Sequence, residues 1–113
     1  MYFTESLRKN RDFQSVFKNG KSKGNKLFVM YVSEYQPGKN RIGISVSKKV
    51  GNSVVRHRVK RLVKESYRLH EKMFNSGLNI VIIARADAAG ATFQETEKAL
   101  LHLMKLHSLI AEQ

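Results

Sequence analysis

Seven residues restrict the architecture of this chain more than any others: Leu78-Asn79-Ile80-Val81-Ile82-Ile83-Ala84 is β-branched and almost continuously apolar. A run of that length and composition is a strand buried on both faces, so protein must lie above and below it. Two more segments alternate. Residues 27–33 place Leu27, Val29, Tyr31 and Ser33 on one face and Phe28, Met30 and Val32 on the other. Residues 41–47 set Ile42, Ile44 and Val46 against Arg41, Gly43, Ser45 and Ser47. Gln36-Pro37-Gly38-Lys39-Asn40 between them is a turn by composition, so an antiparallel hairpin is expected, with the Ile42, Ile44 and Val46 face in the core. Its opposite face is small and polar, as suits a surface that no helix covers.

The helical segments are equally periodic. One starts near Asn10 and stops before Gly20, with Phe13, Val16 and Phe17 on a single face. Residues 21–26 read as a basic loop. Asn52 or Ser53 caps a long helix that runs to about Phe74. Its wheel gathers Val55, Val59, Leu62, Ser66, Leu69 and Met73 on one side, with Val63 and His70 at the edge. A last helix, about 92–110, packs through Phe93, Leu100, Leu103, Met104, Leu106 and Leu109. The order α-β-β-α-β-α predicts one domain over residues 1–113, a single sheet with helices packed on it.

Charge then selects the partner. Twenty-one Lys and Arg oppose nine Asp and Glu, a formal net charge of +12 that repels itself in a compact state unless a polyanion neutralises it. The excess is clustered. Residues 8–26 hold seven cations against Asp12 alone, and residues 48–68 hold eight against Glu65 alone, whereas the C-terminal stretch is near neutral. Charge spread for solubility has no reason to be so uneven. Cysteine is absent, which rules out disulfides and thiolate chemistry and agrees with a reducing cytosol. No stretch approaches the ~20 apolar residues of a membrane span, so a soluble, cytoplasmic protein is expected.

Two constellations carry the functional signal. Along the long helix, Arg56, His57, Arg58, Lys60, Arg61, Lys64 and Arg68 lie opposite or beside the apolar stripe. The stripe fixes the helix on the core, and the guanidinium forks point outward at phosphate, which Arg grips with two donors at once. A merely solvated face would mix signs, whereas here only Glu65 and Glu71 offset the cations. The second constellation is Phe13, Phe17 and Tyr31 around a floor of Val29, Gly43, Ser45 and Ser47, with Arg11, Lys18 and Lys48 nearby. Aromatic faces beside cations hold single-stranded nucleic acid without reading its sequence. The residues by themselves favour the plainer reading, in which Phe13 and Phe17 staple the helix to the core. No catalytic set emerges. There is no phosphate-binding glycine loop, no metalloprotease motif and no paired carboxylates, and His102 and His107 are spaced off one helical face.

Phe13-Gln14-Ser15-Val16-Phe17-Lys18, Ile42-Gly43-Ile44-Ser45-Val46-Ser47-Lys48-Lys49-Val50-Gly51-Asn52 and Arg56-His57-Arg58-Val59-Lys60-Arg61 together resemble the protein component of bacterial ribonuclease P, in order and over nearly the whole chain. The family signature reads Arg-Asn-Arg followed by Lys-Arg; here His57 holds the central position. The resemblance implies an α/β fold, an α+β sandwich with a central mixed sheet and a left-handed βαβ crossover, and a long helix facing the catalytic RNA through Arg56, His57, Arg58, Lys60, Arg61, Lys64 and Arg68. It also implies that the first helix and the sheet hold the 5′ leader of precursor tRNA through Phe13, Phe17, Lys18, Val29, Tyr31, Ser45, Ser47 and Lys48, which reverses the plainer reading of the phenylalanines. Mg²⁺ would be held mainly by the catalytic RNA. Neither a catalytic residue nor a metal ligand is expected on the protein, nor a membrane contact or an obligate protein partner. The rival readings are a ribosomal or other structured-RNA-binding protein, and a nuclease that acts without RNA.

Overall fold

The computed structural model, which describes residues 1–109, runs β1 (Thr4–Ser6), α1 (Asn10–Asn19), β2 (Lys21–Gly24), β3 (Phe28–Glu34), β4 (Asn40–Ser45), α2 (Ser53–His70), β5 (Leu78–Ala84) and α3 (Phe93–Leu106). Short 3-10 turns occupy Glu71–Met73 and Ala86–Gly90. The strands make one mixed sheet in the order β1-β4-β5-β3-β2. The doubly apolar run is its centre: β5 lies antiparallel to β3 and parallel to β4.

That placement corrects the expected hairpin. β3 and β4 do not pair; β5 lies between them, with Met30 and Ile44 on either side of Ile82. Alternation identifies strands but not their neighbours. A strand apolar on both faces is covered best at the centre, and the five residues linking β3 to β4 are long enough to cross two strand spacings of ~4.8 Å. The link also closes over the start of β5: Tyr35 N–H donates to Gly77 O and Gly77 N–H to Lys39 O, at 2.8 and 2.9 Å. Gly77 (φ +85°) and Gly38 (φ +79°) supply the left-handed conformations of these turns.

Each sheet face carries its own core. On one, Phe28, Met30, Ile42, Ile80 and Ile82 meet Val59, Val63 and Tyr67 of α2 and Leu100, Leu103 and Met104 of α3. On the other, α1 lays Val16 over Val81, with Leu7, Phe13, Phe17, Tyr31 and Ile83 around them. A helix therefore does cover part of the small face of β4. A methyl at position 43 would sit 2.6 Å from Phe13 Cζ, so Gly43 is the space that the ring occupies.

Two expected elements shift. The last helix ends at Leu106, which is exposed, and Leu109 is buried beyond it; Ile110 lies outside the described residues. The stripe of α2 rotates: Val63 and Tyr67 are fully buried, whereas Leu69 is 54% and Met73 38% exposed. Tyr67 escapes an apolar count because of its hydroxyl, which here contacts Thr4 Oγ1 at 2.8 Å and accepts from Asn40 Nδ2 at 3.2 Å. Two further strands were not expected. β1 has three residues, and β2 is an exposed, polar edge that periodicity does not distinguish from a loop.

β1 is held from below by a buried carboxylate. Glu71 is 1% exposed and accepts the Tyr2 and Phe3 amides at 2.6 and 3.2 Å. Burial pushes its pKa up, but hydrogen bonds from Thr4 and the Tyr2 and Phe3 amides, with the N-terminal charge, bring it below the ordinary 4.5. A depressed folded pKa gives stability that is present above the unfolded value and lost as pH falls through the folded one. Glu71→Gln is expected to cost about 2 kcal/mol at neutral pH. It should also make the acid loss of stability shallower below about pH 4.5, as read by urea unfolding at neutral and acid pH. An unchanged acid profile would show that Glu71 does not anchor the strand.

Candidate RNA-binding surface

α2 begins where Asn52 Oδ1 accepts the Val55 amide at 3.0 Å, and its first turn contains no acid. A helix N-terminus favours carboxylates, yet Arg56, His57, Arg58, Lys60 and Arg61 crowd the first half of this one. Such a placement weakens the helix and therefore serves something outside it. His57, Lys60, Arg61, Lys64 and Arg68 are exposed, and Arg56 and Arg58 are half-buried.

Among the seven residues expected to meet the catalytic RNA, two are already engaged. Arg58 Nη2 donates to Ala91 O at 2.9 Å and Nη1 reaches Ala89 O at 3.5 Å, tying α2 to the turn before α3. Arg68 forks onto Glu65, with Nε at 3.1 Å from Oε2, and this hydrogen bond holds the Glu65 carboxyl below its usual range. Arg56, Lys60, Arg61 and Lys64 have no ion-pair partner among the described residues. The bare cationic ridge is thus narrower than the sequence suggested.

The register across the sheet shows how α1 shapes the other surface. Gly43, Val81, Tyr31 and Ser22 form one transverse row, and α1 crosses the sheet along it. Arg41, Asn79 and Ser33 form the row on one side. There Arg41 pairs with Asp12 at 3.2 Å and donates to Asn79 Oδ1 at 2.8 Å, which closes that flank. Ser45, Ile83, Val29 and Gly24 form the row on the other side. Ser45, Ile83 and Val29 are half-buried and make a shallow floor beside the helix.

Phe17 and Tyr31 stand together above this floor, centroids 5.0 Å apart and edge to face. Phe13, 6.4 Å from Phe17, is turned over Gly43 toward the edge of β4 instead. The three rings are neighbours, but only two wall the groove. Lys18 is exposed on the outer shoulder of α1. Ser47 and Lys48 are exposed in the turn after β4, where Val50 N–H donates to Ser47 O at 3.1 Å. The sequence reading missed Ile83, which its continuous apolar run hid as core. It also missed Arg85, an exposed cation just past the floor with Nη1 3.2 Å from Asn25 O. Alternation beyond Ile83 was the available signal for Arg85.

His70 and His107 have structural partners. His70 Nε2 lies 2.9 Å from Glu97 Oε2, and His107 Nε2 lies 2.9 Å from Met30 O, where burial pushes its pKa down. Among the described residues no group of three or more His, Asp and Glu gathers to hold a metal ion. None of their helices is long and apolar enough to cross a membrane.

The family model described as ribonuclease P matches residues 1–107. A ribonuclease P protein component from Lachnoclostridium phytofermentans is 56% identical over 108 residues, 96% of this chain and 93% of that protein. The RNase P protein structure from Thermotoga maritima superposes with a TM-score of 0.83 at 34% identity, covering 90% of this chain and 96% of the other. The Staphylococcus aureus RNase P protein structure gives a TM-score of 0.82 at 33% identity, covering 98% and 99%.

Proposed function

This chain belongs to the family of ribonuclease P protein components, and we propose from that premise how its two surfaces divide the work of tRNA 5′ processing. The ridge of α2, led by Lys60, Arg61 and Lys64, binds the phosphates of the catalytic RNA. The groove beside α1, with Phe17 and Tyr31 as its wall and Val29, Ile83 and Ser45 as its floor, holds the single-stranded 5′ leader of precursor tRNA. Hydrolysis is the work of the RNA, with Mg²⁺ supplying Lewis-acid chemistry there. The protein contributes grip and alignment in the cytoplasm.

The observation that carries this reading is adjacency. β4 forms one end of the groove floor at Ser45 and leads within eight residues to the first residue of α2 at Ser53. A leader in the groove and an RNA on the ridge therefore meet across a single strand and turn. Cations on that border offset repulsion between the two polyanions, a service otherwise left to Mg²⁺.

Reconstitution tests it. Added to a bacterial ribonuclease P RNA at low Mg²⁺, the chain should raise cleavage of precursor tRNA by roughly tenfold or more, and the gain should shrink as Mg²⁺ rises. Cleavage by the protein and Mg²⁺ without RNA would overturn the reading in favour of a protein nuclease. RNA binding with no gain in cleavage would favour a general structured-RNA binder.

A further inference from the structure

β1 stops short along β4. Its pairing ends at Ser6 opposite Ile42, and Leu7 N–H makes the last contact, on Ile42 O at 2.8 Å, before the chain turns into α1. Beyond that point the edge of β4 has no neighbouring strand, and a notch of about 350 Å³ opens there. Its walls differ in chemistry. Leu7 and Phe13, on the α1 side of the sheet, give an apolar wall, while Lys60, Arg61 and Lys64, with Ile44 and His57 beside them on the α2 side, give a cationic one with no acid among the lining residues.

Between the walls lies open backbone. Asn40 N–H donates to Phe3 O and Ile42 O accepts from Leu7, so alternate residues of β4 turn their amide groups toward this edge. Ile44 is next in that series and presents its N–H and C=O to the notch, past the end of β1. A neighbouring donor and acceptor match the hydrogen-bonding edge of a nucleobase. One such residue is too little for a peptide to add as a strand, since that needs a run of free amides. A volume of about 350 Å³ is also too small for a duplex, which would rest on the ridge outside.

We propose that the notch takes one unstacked nucleotide of the catalytic RNA, with its base against Leu7, Phe13 and Ile44 and its phosphate on Lys60, Arg61 and Lys64. This rests on the reading that α2 faces that RNA, and it adds a point of register to a surface otherwise made of phosphate contacts. It also gives Phe13 a role distinct from that of Phe17: one ring borders the notch while the other walls the groove. Phosphate contacts orient a helix on a backbone but carry no sequence information, whereas a captured base can be read.

The test uses amide NMR of the whole chain with the four nucleoside 5′-monophosphates, ribose 5-phosphate and inorganic phosphate, followed by a bacterial ribonuclease P RNA. All the small probes should move the amides of Lys60, Arg61 and Lys64, but only nucleotides should move the Ile44 amide and the Phe13 ring. In the RNA complex the Ile44 amide should exchange more slowly with solvent. Ser6→Trp, which fills the notch from its rim, should weaken binding of that RNA about tenfold while the melting curve stays two-state. If the RNA moves the α2 amides but leaves Ile44 unchanged, and Ser6→Trp binds normally, the notch proposal alone falls. If the RNA leaves α2 unmoved, the proposed function falls with it.

Discussion

Replacing Lys60, Arg61 and Lys64 together by Ala should lower affinity for the catalytic RNA about a hundredfold near physiological salt and flatten its salt dependence by about 2–2.7 in log–log slope. The magnitude follows from counting. Each phosphate contact contributes roughly 0.7–0.9 to the slope, and at ~0.15 M salt the release of its counterion is worth about fivefold in affinity. These three side chains are exposed and pair with no described carboxylate, so little is lost inside the protein when they are removed. Arg58 is the control on the same helix. Because its guanidinium already donates to Ala91 O, Arg58→Ala should cost about 1 kcal/mol of stability and leave the slope nearly unchanged. Binding isotherms across a salt series, with unfolding curves for each variant, separate the two effects. A slope unmoved by the triple change would remove α2 as the phosphate-binding element.

The contrast between Arg58 and Arg61 marks what could be read from the sequence and what could not. Both lie off the apolar stripe, and a wheel treats them alike. Only the path of the chain around Ala86–Gly90 brings two carbonyls to Arg58, and that path is set by tertiary packing. The same limit explains the sheet. The composition of 78–84 required a doubly covered strand, and the structure has one, but nothing local said which strands lie beside it. Tyr67 was overlooked because its burial depends on Thr4 and Asn40, which are distant in sequence. The ridge was legible because it is local: a run of like charges opposite valines needs only the helical repeat. The groove was partly legible, its aromatics from α1 and β3 but not its floor residue Ile83, since a floor exists only once neighbouring strands are aligned.

For that groove, Phe17→Ala combined with Tyr31→Ala should weaken holoenzyme binding of leader-bearing precursor tRNA by about tenfold to a hundredfold while leaving mature tRNA unaffected. A base stacked on an aromatic side chain is worth about 1–3 kcal/mol, and the two rings act as one edge-to-face unit, so their contributions should not simply add. Phe13 is the wrong residue for this test. Its ring fills the space over Gly43, and removing it would disturb α1 packing and the β4 edge together. Phe17 and Tyr31 are only half-buried, and Val16 and Val81, fully buried beneath α1, keep the helix seated without them. A loss confined to the leader-bearing substrate would place single-stranded RNA against these rings, because mature tRNA lacks only that segment. Equal loss for both substrates would mean that the rings support the fold or a structured-RNA contact, and the groove would then be packing rather than a binding site.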